Sequence, residues 1–215
     1  MRTVSLEVFR FDPEADREGR YQRFEVPWEP GATVLQALLH IRQQQDPTLA
    51  FRYGCRFRNC GLCGVQVDGR PRLACIARLR DGIRVSPLRG FPVIRDLVVD
   101  RSEPFRRLAE LQAWPTPGDR ELQQVQQPPQ LLRLLGCREC LLCTAACPHW
   151  GEEGFGGPYV FLRLAQLHLD VRDEVDRREQ ARRLGIERCR GCARCFCPFG
   201  IPIYRYAIRT LLDGA

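Results

Sequence analysis

The 215-residue sequence contains no lysine and a single methionine, so all 33 of its basic residues are arginine. No apolar run approaches the ~18 residues that would predict a membrane-spanning helix. The opening stretch MRTVSLEVFR has neither the apolar core of a signal peptide nor a twin-arginine signal, which predicts a cytoplasmic chain. There are only three histidines, and His40 and His168 fall in helical patterns as packing or surface positions. No dinucleotide-binding glycine fingerprint follows a strand, because GEEGFGG (151–157) has the wrong spacing. Ser/His/Asp and metalloprotease patterns are also missing. Together these absences argue against a substrate site in this chain and predict one subunit of a larger enzyme. The formal charge of +7 raises nucleic-acid binding, but 26 acids interleave with the arginines and no basic tail forms. A solvated surface explains that distribution better, and no nucleic-acid partner is expected.

What the chain does hold is 12 cysteines. In a reducing compartment clustered cysteines are metal ligands or redox groups rather than disulfides. They fall into three groups. Cys55, Cys60, Cys63 and Cys75 are spaced C-x4-C-x2-C-x11-C, the plant-type [2Fe–2S] spacing. A structural zinc ribbon would show two C-x2-C pairs, which the C-x4-C gap does not fit. Gly54, Gly61 and Gly64 interleave with these ligands and let backbone N–H groups turn toward sulfur. Arg52, Arg56 and Arg58 lie in the same loop, with no acid between residues 51 and 67. Positive charge there favours the reduced, more negative cluster, so this centre should accept electrons more readily than a ferredoxin.

Cys137, Cys140, Cys143 and Cys147 form C-x2-C-x2-C-x3-C followed by Pro148, the ferredoxin run whose fourth cysteine serves a second cluster. Cys189, Cys192, Cys195 and Cys197 form the third group, CRGCARCFCP. Each run supplies three ligands to one cluster and one to the other.

The predicted fold is α+β. TVSLEVFRF (3–11) and YQRFEV (21–26) alternate as a hairpin, ATVLQALLHIRQQ (32–44) reads as a helix with Thr33 as N-cap, and VQVDG follows the first cysteine loop as a strand. This describes a plant-type ferredoxin, β-grasp-like domain over 1–105. Residues 106–130, rich in proline and glutamine, read as a connection. Residues 131–215, with helix-like LLRLLG and YVFLRLAQLHLDVRDE, read as an all-α domain wrapped around two cubane-type clusters.

With these motifs in order, the chain resembles the iron–sulfur subunits of succinate dehydrogenases and fumarate reductases over nearly its whole length. CRFRNCGLCGVQVDGRPRLAC looks like that family's two-iron loop, and FPVIRDLVVDRSEPF (91–105) like its connection between domains. CRECLLCTAACPHW, GPYVFLRLAQLHLDVRDE and CRGCARCFCPFGIP look like its C-terminal cysteine runs and intervening helix. The resemblance implies an electron relay on the cytoplasmic face of the membrane. FAD would reside in a partner flavoprotein, and electrons would leave to a quinone at a membrane anchor. A runner-up couples the same relay to a soluble cysteine-rich thiol/disulfide subunit. The family pattern gives the [2Fe–2S] cluster to Cys55, Cys60, Cys63 and Cys75, and a [4Fe–4S] cluster to Cys137, Cys140, Cys143 and Cys197.

Two departures stand out. Only Phe196 separates Cys195 from Cys197, where the family has three residues, and Arg190 replaces a histidine of the quinone-reducing members. Trp150, with His149 beside it, is a candidate border of a quinone site; packing over the cluster is the equal alternative. Two readings of the last cluster stay open. In one, Cys147, Cys189, Cys192 and Cys195 hold a second [4Fe–4S] cluster; in the other, Cys192 is spare and a [3Fe–4S] centre remains.

Overall fold

A computed structural model describes residues 2–118, 125–192 and 194–213. The chain divides into two compact units, residues 1–100 and 101–215.

In the first unit β1 (Thr3–Arg10) and β2 (Arg20–Pro27) form the expected antiparallel hairpin, paired from Thr3 with Pro27 to Arg10 with Arg20. Alternation puts Val4, Leu6 and Val8 of β1 in the core. β5 (Ile83–Ser86) lies parallel to β1, with Leu6 opposite Ile83. β3 (Gly64–Val67) and β4 (Arg70–Leu73) complete a five-stranded sheet of order β2-β1-β5-β3-β4. β6 (Val93–Arg95) and β7 (Val98–Val99) form a separate hairpin.

Helix α1 (Val34–Gln44) buries Val34, Leu35, Ala37, Leu38 and Ile41. Each large aliphatic side chain buried this way contributes roughly 1.5–3 kcal/mol. Thr33 caps the helix as expected: its hydroxyl accepts from Gln36 N at 3.3 Å, and its own N–H donates to Gln36 Oε1 at 2.8 Å. The first turn of a helix leaves amides without helical partners. Here Val34 N donates to Ala77 O and Leu35 N to Ala74 O, both at 2.9 Å, so α1 fixes the turn that carries Cys75.

A buried polar network locks the approach to the first cysteine loop. Arg10 continues the inward face of β1 and is 6% exposed. Its guanidinium donates to Asp96 Oδ1 at 3.0 Å, Gln22 Oε1 at 3.0 Å and Thr48 Oγ1 at 2.9 Å, and it also pairs with Asp46. Asp96 accepts in turn from Phe11 N at 2.9 Å and Ala50 N at 2.8 Å. The stretch 91–105, expected to connect the domains, therefore contributes a hairpin and a buried anchor to the first unit.

The second unit starts earlier than the sequence pattern suggests. α2 (Ser102–Glu110) opens it, so part of the segment read as a connection is helical; residues 119–124 of that segment lie outside the described residues. α3 (Pro129–Leu134), α4 (Leu142–Ala146), α5 (Pro158–His168), α6 (Arg177–Arg183) and α7 (Arg209–Asp213) follow. A 3-10 turn spans Ile186–Cys189, and a π-helical turn spans Tyr204–Ile208. No strand occurs among the described residues of this unit. α5 is apolar around most of its circumference and is the central helix. It ends at His168, because Asp170 accepts from Arg172 N at 3.0 Å and starts a turn.

Candidate metal centres

In the first unit the loop holding Cys55, Cys60 and Cys63 passes from the Asp96-anchored segment into β3, and Ala74 N donates to Cys63 O at 2.8 Å, which ties Cys63 to Cys75. Arg56 and Arg58 adopt left-handed backbone, φ 67° and 56°. Such conformations cost an L-residue roughly 1–2 kcal/mol and persist where the surroundings require them. Here they accompany amides aimed at sulfur: Asn59 N and Cys60 N donate to Cys55 Sγ at 3.1 and 3.3 Å, and Cys55 N donates to Cys60 Sγ at 3.4 Å. Gly54 sits in a tight place: a Cβ there would stand 3.2 Å from Cys60 Sγ and 3.0 Å from Leu62 Cδ1, so these neighbours would have to shift.

Partial burial raises the Cys55 thiol, but the amides of Asn59, Phe57 and Cys60 outweigh it and bring the thiol down to about 7. Burial pushes Cys63 up to about 12, with Cys75 and Cys60 as near neighbours. All four expected ligands of the first group thus meet in one site.

The same device recurs in the second unit. Glu139 and Leu141, on either side of Cys140, are left-handed at φ 52° and 60°. Glu139 N points to Cys137 Sγ at 3.5 Å, and Leu142 N toward the Cys140 thiol. Burial raises Cys140 to about 11, and its next influences are Leu142 N, Cys197 and Cys137. Cys137 is raised by burial and, among charges, foremost by Cys197. Cys137, Cys140, Cys143 and Cys197 line one cavity with Tyr159 and Phe196.

The remaining cysteines form a second set. Burial raises Cys189 to about 12, with Cys147 and Cys192 as the neighbouring thiols. Cys195 is raised to about 12 by burial, then by Cys189, Cys147 and Cys192. Cys197 thus joins the cysteines of the other run in that cavity, while Cys195, one residue away, has Cys189, Cys147 and Cys192 as neighbouring thiols and also acts on Cys143. Phe196, between them, is not among the left-handed residues.

Trp150 lies beneath the Arg107 guanidinium at 5.1 Å and against Gly157, where a Cβ would come within 2.9 Å of its ring. His149 Nδ1 is 2.9 Å from Glu152 Oε1, and Arg188 reaches Glu152 Oε2 at 3.4 Å. The backbone N–H groups of both His149 and Trp150 point at the Cys147 thiol, against the upward push of burial. Arg190 is engaged by Glu187 and by Asp213 at 3.5 Å.

Among the described residues no three Cys, His, Asp or Glu side chains close around a single-ion position. A polynuclear cluster has no such requirement, because its thiolates bind different irons. All-sulfur donor sets with inward amides fit such clusters.

Residues 5–106 match the family described as a 2Fe-2S iron-sulfur cluster binding domain, and residues 132–198 match a 4Fe-4S dicluster domain. The fumarate reductase iron-sulfur subunit of Mycobacterium tuberculosis is 36% identical over 193 residues, covering 83% of this chain and 78% of the relative. The chain belongs to the fumarate reductase and succinate dehydrogenase iron–sulfur subunit family. A chain of the Mycobacterium smegmatis Sdh1 complex in the apo form is similar in structure, with a TM-score of 0.87 at 30% identity over 98% of this chain and 94% of that one. The resemblance read from the motifs is therefore borne out.

An uncharacterized iron-sulfur protein of Methanocaldococcus jannaschii is 35% identical, and a fumarate reductase (CoM/CoB) subunit of Methanothermobacter marburgensis is 31% identical, each over 97% of this chain. The chain spans less than half the length of these two relatives, 43% in each case.

Proposed function

We propose that this chain is the electron-transfer subunit of a succinate- or fumarate-converting oxidoreductase. Its first unit would be a β-grasp-like ferredoxin domain with one [2Fe–2S] cluster on Cys55, Cys60, Cys63 and Cys75. Its second would be an all-α domain with a [4Fe–4S] cluster on Cys137, Cys140, Cys143 and Cys197 and another on Cys147, Cys189, Cys192 and Cys195. The observation that supports this reading best is Cys197, from the last run, lining one cavity with Cys137, Cys140 and Cys143 of the distant earlier run. Cys192 stands with Cys147, Cys189 and Cys195, which supports four ligands over a three-iron centre. When bound, such clusters carry single electrons.

The chain's own residues insulate and tune these sites. Backbone amides at 59, 60, 139 and 142 hold the thiolates, and Tyr159 and Phe196 keep water from the first cubane set. The first loop presents Phe57, 71% exposed, between the exposed Arg56 and Arg58, and Leu62 in the same loop is exposed too. That apolar and basic face suits a flavoprotein partner carrying the FAD. A quinone at a membrane anchor is the proposed acceptor, with Trp150 and His149 at its border and the chain peripheral on the cytoplasmic face. None of the described helices is long and apolar enough to cross a membrane, and the proposed anchor is a separate partner. The thiol-coupled alternative takes second place, since the (CoM/CoB) relative is matched over less than half its length.

The test is to purify the native complex, add succinate and record the EPR spectrum. A reduced two-iron signal is expected; a signal that appears only with dithionite would overturn the proposal.

A further inference from the structure

Thr144 follows Cys143 in α4 and is 1% exposed. A hydroxyl in a short helix ordinarily returns its proton to a carbonyl of the preceding turn. Thr144 does not: its Oγ1 is buried and has no hydrogen-bond partner. Valine would fill the same space without stranding a polar atom, so the hydroxyl points to an acceptor that the polypeptide alone does not supply. The neighbouring group is sulfur. Thr144 directly follows Cys143 in α4, both residues are buried, and Cys143 lines the cavity with Cys137, Cys140 and Cys197, so the stranded hydroxyl and the ligand sulfur share one buried helical turn.

We infer that the Thr144 hydroxyl is a hydrogen-bond donor to the cluster on Cys137, Cys140, Cys143 and Cys197, through the Cys143 thiolate, and that it raises the potential of that cluster. This rests on the ligand assignment proposed above. The sign follows from charge. Reduction makes the cluster more negative, a donor to its sulfur stabilises the more negative state, and removing the donor makes reduction harder. Thr144 is thus a positioning residue that acts through Cys143.

Two matched pairs isolate the hydroxyl. Wild type and Thr144→Val differ by an oxygen replaced with a methyl group, and Thr144→Ser and Thr144→Ala differ by the oxygen alone. Each is prepared in the complete native complex, and the midpoint potential of this cluster is read by EPR-monitored redox titration. In each pair the hydroxyl-bearing member should be the more readily reduced. The reduced-to-oxidised ratio at a fixed potential should differ about tenfold, which is about 59 mV for one electron. A difference below twofold in both pairs overturns the inference, as it would if the hydroxyl merely held a water. Loss of the cluster in Val and Ala with retention in Ser supports a direct bond, while its loss in Ser as well overturns it. If the wild-type complex shows no cubane signals at all, the ligand assignment fails instead.

Discussion

Replacing Asp96 with asparagine should loosen the chain that leads into the first cysteine loop. The side chain is 2% exposed and accepts three hydrogen bonds: Arg10 Nε at 3.0 Å, Phe11 N at 2.9 Å and Ala50 N at 2.8 Å. Asparagine has nearly the same shape and tolerates the left-handed backbone at this position, φ 46°, so cavity and strain terms stay small. Two things change. The buried Arg10 charge loses one of its two carboxylate partners, and an NH2 group replaces one of the acceptor oxygens. Removing one partner of a buried pair costs about 3–5 kcal/mol, less where another carboxylate remains as Asp46 does. Leaving a buried amide unpaired costs about 1–3 kcal/mol. A net loss of about 3 kcal/mol is expected, which is roughly a hundredfold in the opening equilibrium. Hydrogen exchange on the complete cluster-loaded chain measures it, because local openings report their own free energy. Exchange at Phe11 and Ala50 should accelerate about a hundredfold, and the visible absorbance of the [2Fe–2S] centre should bleach sooner on warming. Less than a threefold change in exchange would show that the network is not what holds the loop.

Three further outcomes are expected. Cys192→Ser should convert the oxidised protein from EPR-silent at its last cluster to one showing a three-iron signal; a signal already present in wild type would place Cys192 outside the ligand set. Glu139→Gln removes a negative charge beside Cys137, and the potential of that cluster should rise, by less than tenfold in the redox ratio because Glu139 faces solvent; an unchanged titration would refute this. Asp46 carries a pH dependence: burial raises its carboxyl, but hydrogen bonds from Thr48 and Arg10 outweigh it and the net shift is downward. A depressed folded-state pKa contributes stability above the unfolded value of ~3.9, lost as pH falls through the folded value. Hydrogen exchange at Thr48 should therefore rise below about pH 4, and Asp46→Asn should flatten that limb; an equally steep limb in the variant would exclude Asp46 as its source.

The three cysteine groups, the opening hairpin and helix α1 with its Thr33 cap were legible because each depends on local spacing or period. The Arg10–Asp96 network was not. Among scattered arginines Arg10 read as one more surface charge, although its place two residues beyond Val8 on the inward face of β1 was the available signal. The partner that makes its burial tolerable lies 86 residues away in the chain, and no local pattern announces it. Arg177 escaped notice for the same reason. It is fully buried, paired with Asp173 at 2.6 Å, and donates to Gln112 O and Trp114 O at 3.2 and 2.8 Å, across residues read as a connection. Left-handed Glu139 and Leu141 were also invisible, because neither residue type advertises that conformation; only the need to aim amides at sulfur explains them.

The exchange of Cys147 and Cys197 between the two cubane sets bears on how the protein matures. Under the proposed ligand assignment, neither cluster can be completed until both cysteine runs have met, which closes a segment of about forty residues between Cys147 and Cys189. Loop closure of that length costs roughly 3 kcal/mol by the (3/2)RT ln n relation. The first cluster inserted bears that cost, and the second enters a chain already closed, so its insertion is favoured by roughly a hundredfold. Loading is then close to all-or-none. Chains with both cubanes or with neither should dominate during biogenesis, because either cluster alone already holds together the two runs that the other needs.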